Sequence, residues 1–202
     1  MNLAIARGGW GARLLLALFL AGSAVLSFYA HRAQNLQHGE SDQPRSALLE
    51  EPAPEFSVPV LTVAADAPET RISLADYRGK VVFISFWASW CRPCDYELPV
   101  LNQFYLDHRD QGVEVLAIST DQDRQAALEY MQSRNFALPM LWDEGGRVAA
   151  LYHVEALPTL IVVDPDGRVR HSERGLRVDL NSWLALQLRR FAPQQAPVVG
   201  GD

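Results

Sequence analysis

Short apolar runs alternate with amphipathic segments along the middle of the chain, and this alternation predicts an α/β fold. The runs VVFISF at 81–86 and VEVLAIS at 113–119 are rich in β-branched residues, which is typical of buried strands. A helical pattern follows the first run, and another covers DQDRQAALEYMQSRNF at 121–136. Strand, helix, strand and helix in this order indicate parallel central strands.

The second half of the pattern predicts a hairpin and a closing helix. Segments 159–163 and 169–173 flank the turn DPDG at 164–167, as the two strands of an antiparallel hairpin would. The segment DLNSWLALQLRRF at 179–191 places Leu180, Trp183, Leu184 and Leu188 on one helical face. Two shorter segments precede the hairpin, ALPMLW at 137–142, to which no element is assigned, and a helical EGGRVAALYHV at 144–154. We therefore expect a mixed central sheet flanked by helices, with an antiparallel edge.

The first thirty residues have a basic start and then an uncharged apolar run. Arg7 and Arg13 precede the 17 residues LLLALFLAGSAVLSFYA at 14–30. A helix of this length reaches about 26 Å, close to the roughly 30 Å hydrocarbon core of a bilayer. We interpret 1–13 as a cytoplasmic N-terminus and 14–30 as a transmembrane signal anchor. A cleaved signal peptide is the alternative, because Gly22-Ser23-Ala24 resembles a cleavage site, and in both cases the rest of the chain is exported.

Two polar stretches bound the predicted domain. Residues 31–50 show little periodicity and are interpreted as a linker between membrane and domain. Residues 192–202, APQQAPVVGGD, are rich in Pro and Gly, which predicts a disordered tail. The domain itself is expected at 51–191.

The charge of the chain argues against a nucleic-acid partner. The 202 residues include 18 Lys and Arg against 24 Asp and Glu, a formal net charge of −6. From residue 31 onward the acidic excess is larger, with 16 basic against 24 acidic residues, and Lys80 is the only lysine. Because a nucleic-acid interface needs clustered Lys and Arg to neutralise phosphates, we expect none here.

Both cysteines lie in one stretch, FWASWCRPCDYELP at 86–99, between a predicted strand and a predicted helix. Cys91 and Cys94 are three residues apart, so a small adjustment of helical spacing brings them to disulfide distance. Backbone N–H groups and the helix dipole stabilise a thiolate at a helix N-terminus. This favours Cys91 as an exposed attacking thiol and Cys94, one turn further in, as a more buried resolving thiol.

Other roles for the cysteine pair fit the sequence less well. A structural zinc site needs four ligands, and the chain offers one pair of cysteines and five scattered histidines. Haem attachment requires His after the second cysteine, where this chain has Asp95. A structural disulfide over so short a loop gains little from loop closure. We therefore expect a redox couple, with no metal and no cofactor beyond the disulfide itself.

The stretch FWASWCRPC resembles the active-site signature of the thioredoxin superfamily. With CDYELP at 94–99, APEF at 53–56, RGKVVFISFWASWC at 78–91 and VEALPTLIVVDPDGRV at 154–169, it is similar to the membrane-anchored TlpA/ResA-like thiol-disulfide oxidoreductases. These include the DsbE/CcmG proteins of cytochrome c biogenesis. The similarity covers roughly residues 51–190 and implies a thioredoxin-like fold with thiol-disulfide oxidoreductase activity.

The resemblance also implies roles for residues around the cysteines. Pro158 matches the family's cis-proline, which faces the disulfide and lets the backbone of Leu157 pair with substrate; the alternative is a trans proline at a strand start. Trp90 is expected to shield the thiols and offer a flat contact, although a tryptophan also fits a core. Pro93 is expected to constrain the dipeptide between the cysteines.

Glu97 matches an acidic residue that this subfamily carries three positions after the second cysteine. On the helix it lies one turn beyond Cys94, where its carboxylate could exchange protons with the resolving thiol; the alternative is a solvent-exposed helix glutamate. In thioredoxin itself the preceding strand carries a buried Asp, and this chain has Ser85 there. Because a hydroxyl is a poor proton acceptor at neutral pH, the departure directs attention to Glu97.

The expected function is reduction of disulfides in exported proteins such as apocytochromes c or copper-site proteins. The resemblance implies a membrane electron donor of the DsbD/CcdA kind and a domain on the periplasmic side of the bacterial inner membrane. The direction stays open, because Arg92 favours the Cys91 thiolate and Glu97 opposes it. The alternatives are a peroxiredoxin-type thiol peroxidase, although Ala88 stands where such a site carries Thr, and a metal chaperone that binds copper or haem through Cys-x-x-Cys.

Overall fold

The computed structural model describes residues 48–62 and 68–192, and its centre is a five-stranded mixed sheet. The five strands are β3 (Val81–Trp87), β4 (Val113–Ser119), β5 (Met140–Trp142), β6 (Thr159–Val163) and β7 (Val169–Arg174). Their order across the sheet is β5-β4-β3-β6-β7. The strands β5, β4 and β3 are parallel, β6 pairs antiparallel with β3, and β7 pairs antiparallel with β6. The mixed sheet and its antiparallel hairpin are confirmed.

Four α-helices form in the described part of the chain: α1 (Cys94–His108), α2 (Arg124–Arg134), α3 (Arg147–Leu151) and α4 (Leu180–Phe191). The predicted helix at 121–136 begins only at Arg124, because Asp123 caps it by accepting the backbone N–H of Gln125 at 2.9 Å. The predicted helical segment at 144–154 is a 3₁₀ turn followed by the short α3. Gly145 and Gly146 both have positive φ, which interrupts the helix there.

The strand β3 is buried on both faces, which explains its continuous apolar sequence. On one face, Val81, Phe83 and Trp87 pack in a core with side chains of α1, α2 and α4. On the other face, its alternate residues pack with α3 and with the segment before β3. Side chains of β3 at odd positions therefore face α1, the helix that begins at Cys94.

A two-stranded hairpin, β1 (Ser57–Pro59) and β2 (Arg71–Ser73), precedes the sheet and was not predicted. Leu48 and Leu49 pack against the core on the α3 side of the sheet, and the Glu50 N–H donates to the Val169 carbonyl at 2.8 Å. Contacts with the domain therefore already begin before residue 51, where the sequence placed its start.

The predicted N-terminus at 1–13 and anchor at 14–30 lie outside the described residues, as do most of the predicted linker at 31–50 and nearly all of the tail at 192–202. Within the part of the chain that the structure describes, no helix is long and apolar enough to cross a membrane.

Candidate functional site

A disulfide joins Cys91 and Cys94 at the junction of β3 and α1. The strand ends at Trp87, and α1 begins at Cys94, so the sheet and the helix together fix both cysteines. The backbone N–H of Cys94 points at the Sγ atom of Cys91 over 3.3 Å. A helix N-terminus thus presents a hydrogen-bond donor to the sulfur of the expected attacking thiol.

Both cysteines are nearly enclosed, which corrects the prediction that Cys91 is exposed. Cys91 is 4% exposed and Cys94 is 1% exposed, so Cys94 is the more buried of the two as expected, by a small margin. The reason is a tight turn, in which the Cys91 N–H donates to the Ala88 carbonyl at 3.0 Å and keeps the residue against the end of β3. Both side chains belong to the core between the sheet and α1.

The two neighbours Trp90 and Pro93 occupy different environments. The Trp90 side chain is 70% exposed, so it is not a core tryptophan and presents its ring to solvent next to Cys91. Tyr96, two residues after Cys94, is equally exposed. Pro93 is the residue before α1, with a φ of −62° that its ring enforces, and it therefore sets the helix start between the cysteines.

The peptide bond between Leu157 and Pro158 is cis, as predicted. The next residue, Thr159, pairs with Phe86 near the end of β3. The cis-proline therefore lies at the same end of the sheet as the segment that leads to Cys91. The Pro158 carbonyl accepts the N–H of Gly175 at 2.8 Å, which ties this corner to the end of β7.

Glu97 is buried and hydrogen-bonded to Ser85, so the alternative of a solvent-exposed helix glutamate is wrong. Glu97 is only 2% exposed, and its Oε1 atom accepts a hydrogen bond from the Ser85 hydroxyl at 2.7 Å. Burial raises the pKa of Glu97 from 4.5 to about 7; the Ser85 hydrogen bond opposes the rise, and the negative charge of Glu173 adds to it. A carboxyl that titrates near neutral pH can both accept and return a proton.

Comparison with known proteins identifies the family. The model of the AhpC/TSA family matches residues 49–172. The thiol-disulfide oxidoreductase ResA of Bacillus anthracis is 31% identical over 157 residues, covering 78% of this chain and 83% of the relative. The chain belongs to the AhpC/TSA family, among its ResA-like thiol-disulfide oxidoreductases. ResA of Bacillus cereus is 29% identical over 163 residues, covering 81% of this chain and 86% of the relative.

The solved structures agree with this assignment. A thiol:disulfide interchange protein assigned as DsbE from Chlorobium tepidum superposes with a TM-score of 0.65 at 28% identity, covering 72% of this chain and 98% of that chain. The ResA-like chain is therefore a thiol-disulfide oxidoreductase with a thioredoxin-like fold. Among residues 48–62 and 68–192, no three or more His, Cys, Asp or Glu side chains form a group that could hold a metal ion.

Sequence reasoning missed two polar partners in this ResA-like site. The sequence comparison with thioredoxin marks Ser85 only as a missing acid, whereas its hydroxyl is the hydrogen-bond donor to Glu97. The sequence pattern predicts Asp121 within a helix, whereas it precedes that helix, is buried, and accepts two hydrogen bonds from Ser89, two residues before Cys91. The position of each residue is the signal in the sequence: a lone serine within an apolar strand, and an aspartate two residues after the end of the next strand.

Proposed function

We propose that this ResA-like oxidoreductase reduces disulfides of exported proteins through the Cys91–Cys94 couple. The observation that carries the proposal is the buried Glu97, whose pKa of about 7 and position one turn beyond Cys94 suit it to deprotonate the resolving thiol. Apocytochromes c and copper-site proteins are the proposed substrate classes, because their metal- or haem-binding cysteines must be reduced before use.

The reaction consists of two exchanges. The Cys91 thiolate attacks one sulfur of the substrate disulfide, forming a mixed disulfide and releasing one substrate thiolate, which takes up a proton. Glu97 accepts the proton of Cys94, and the resulting thiolate attacks the Sγ atom of Cys91. The second substrate thiolate leaves and is protonated, so two electrons have moved to the substrate and Cys91–Cys94 is oxidised.

Exposed aromatic side chains support a polypeptide as the substrate. Trp90 and Tyr96 are each 70% exposed and flank the cysteines along the chain. Large aromatic rings of this kind are enriched at protein contacts, where they bury much area with few rotatable bonds. Leu157 and the cis-Pro158 form the proposed backbone contact for the same substrate segment, at the same end of the sheet.

Membrane attachment and a membrane electron donor complete the proposal. The apolar segment at 14–30 is proposed as a signal anchor that holds the domain on the periplasmic side of the bacterial inner membrane. A donor of the DsbD/CcdA kind would return the couple to its dithiol form. Alkaline extraction of membranes, with and without residues 1–30, tests the anchor.

A trapping experiment tests the substrate class. In Cys94→Ala, the mixed disulfide on Cys91 cannot be resolved, so partner proteins should be recovered from the periplasm and identified by mass spectrometry. Cys91→Ala is the matched control and should trap none. Recovery of no exported protein by Cys94→Ala, in cells where the wild type is active, would contradict the proposal.

The match to the AhpC/TSA family also supports a second candidate function, that of a thiol peroxidase. Against it, Ala88 occupies the position three residues before Cys91, and the second cysteine is only three residues away. Rapid oxidation of the reduced protein by stoichiometric hydrogen peroxide, faster than by a peptide disulfide, would favour the peroxidase.

A further inference from the structure

Asp121 joins the segment before Cys91 to the ends of two neighbouring strands. The residue is 3% exposed and follows the last residue of β4 by two positions. Its carboxylate accepts the Ser89 backbone N–H at 2.9 Å, the Ser89 hydroxyl at 2.8 Å and the Ser119 hydroxyl at 2.8 Å. Its carbonyl accepts the indole N–H of Trp142 from β5 at 2.9 Å.

The contacts of Asp121 act on the short segment that leads to Cys91. The carbonyl of Trp87, the last residue of β3, accepts the Thr120 N–H at 2.8 Å. Ser89 is then held by Asp121, and Cys91 turns back to Ala88 through its own N–H. Trp90 is largely exposed and offers little packing, so Ser89 is the point at which this segment is fixed just before the cysteine.

We propose that Asp121 is a positioning residue for Cys91, which holds Ser89 so that the Cys91 sulfur stays against the N–H of Cys94. This rests on the proposed role of Cys91 as the attacking thiol. An acceptor is needed at this point, because the N–H and hydroxyl of the half-buried Ser89 would otherwise lose their partner within the protein. The segment would then shift to reach water, and the sulfur would lose its place over the helix N-terminus.

Two variants of Asp121 separate the acceptor from a general effect on stability. Asp121→Asn keeps an oxygen for the Ser89 N–H, whereas Asp121→Ala removes it. Asp143→Ala is the matched control, since Asp143 is also buried and accepts the N–H groups of Val148 and Ala149 at 2.9 and 2.8 Å, at the start of α3.

The readouts are the alkylation rate of Cys91 by iodoacetamide at pH 7, in a Cys94→Ala background, and the thiol-disulfide equilibrium of the two-cysteine protein with glutathione. We expect Asp121→Ala to slow alkylation about tenfold and to shift the equilibrium toward the disulfide, because the Cys91 thiolate loses stabilisation. The alkylation rate of Asp121→Asn should stay within about threefold of the wild-type rate. Asp143→Ala should have the wild-type rate and equilibrium, even where this substitution lowers the stability of the domain.

If Asp121→Ala is folded and keeps the wild-type alkylation rate and equilibrium, the proposal is overturned. It is also overturned if Asp121→Asn slows alkylation as much as Asp121→Ala does. Where Asp121→Ala does not fold, the double variant Ser89→Ala and Ser119→Ala removes two of the three donors. It should slow alkylation severalfold, and an unchanged rate would again overturn the proposal. Neither readout needs a protein substrate, so a failure of the proposed substrate class is distinguishable from a failure of this inference.

Discussion

The hydroxyl of Ser85 donates a hydrogen bond of 2.7 Å to the carboxyl group of Glu97, and both residues are buried between β3 and α1. The strand supplies the donor and the helix supplies the acid. Ser85 stands where thioredoxin has its buried Asp, so in this chain the carboxyl group comes from the helix and contacts that strand position. Because Glu97 titrates near neutral pH, its protonation state should govern the second exchange.

Replacing Glu97 by Gln should slow release of the reduced substrate without unfolding the domain. Gln cannot accept the Cys94 proton, so we expect a loss of about 10²-fold above pH 7, where wild-type Glu97 is ionised. Stopped-flow measurement of mixed-disulfide resolution checks this, together with the titration of the cysteines. Asp107→Asn, a change on the same helix, is the control. An unchanged rate and an unchanged cysteine titration would remove Glu97 from the mechanism.

Replacing Ser85 by Ala should raise the pKa of Glu97 above its present value of about 7. The hydroxyl stabilises the ionised carboxylate, so its loss favours the protonated form. The pH at which the rate of resolution is half-maximal should therefore move upward, while the plateau at high pH is retained. The pH dependence of the rate and carbon NMR of the Glu97 carboxyl both report this. A midpoint that stays in place or falls would contradict the assigned role of Ser85.

The raised pKa of Glu97 should make the domain less stable as pH rises from about 4.5 to 7. In this interval the folded protein keeps the Glu97 proton and the unfolded chain has lost it, so unfolding releases a proton and is favoured by higher pH. The effect is on the order of 3 kcal/mol at most, from the size of the pKa shift. Urea unfolding of the oxidised protein at pH 5 and pH 8 should show a larger loss for the wild type than for Glu97→Gln. Parallel pH dependence in the two proteins would argue against a buried, titrating Glu97.

The sequence predicted those parts of the fold whose pattern is local. The strands β3 and β4 are runs rich in β-branched residues, and the Cys-x-x-Cys pair with Trp90 and Pro93 is a contiguous motif. The hairpin of β1 and β2 was missed because each strand has only three residues, too few to show a period.

The polar contacts of the site depend on tertiary structure and were therefore harder to predict. Glu97 shares a helix face with the buried Leu101 and Phe104, at positions i, i+4 and i+7, and this spacing alone could have indicated its burial. Asp121 meets Ser89 only because β3 and β4 run parallel in a register that pairs Trp87 with Ser119. A sequence does not give that register.

Replacing Trp90 by Ala should weaken binding of polypeptide disulfides while leaving the thiol chemistry intact. The ring is exposed beside Cys91 and so can bury area only against a partner. We expect KM for a peptide disulfide to rise about tenfold, corresponding to about 1.4 kcal/mol, with little change in the reaction with a small dithiol. Leu151→Ala, which truncates another exposed apolar side chain, on α3, is the matched control. An equal loss of activity with the peptide disulfide and with the small dithiol would instead show that Trp90 affects the reactivity of Cys91. No loss of activity with either would show that Trp90 has no part in substrate binding.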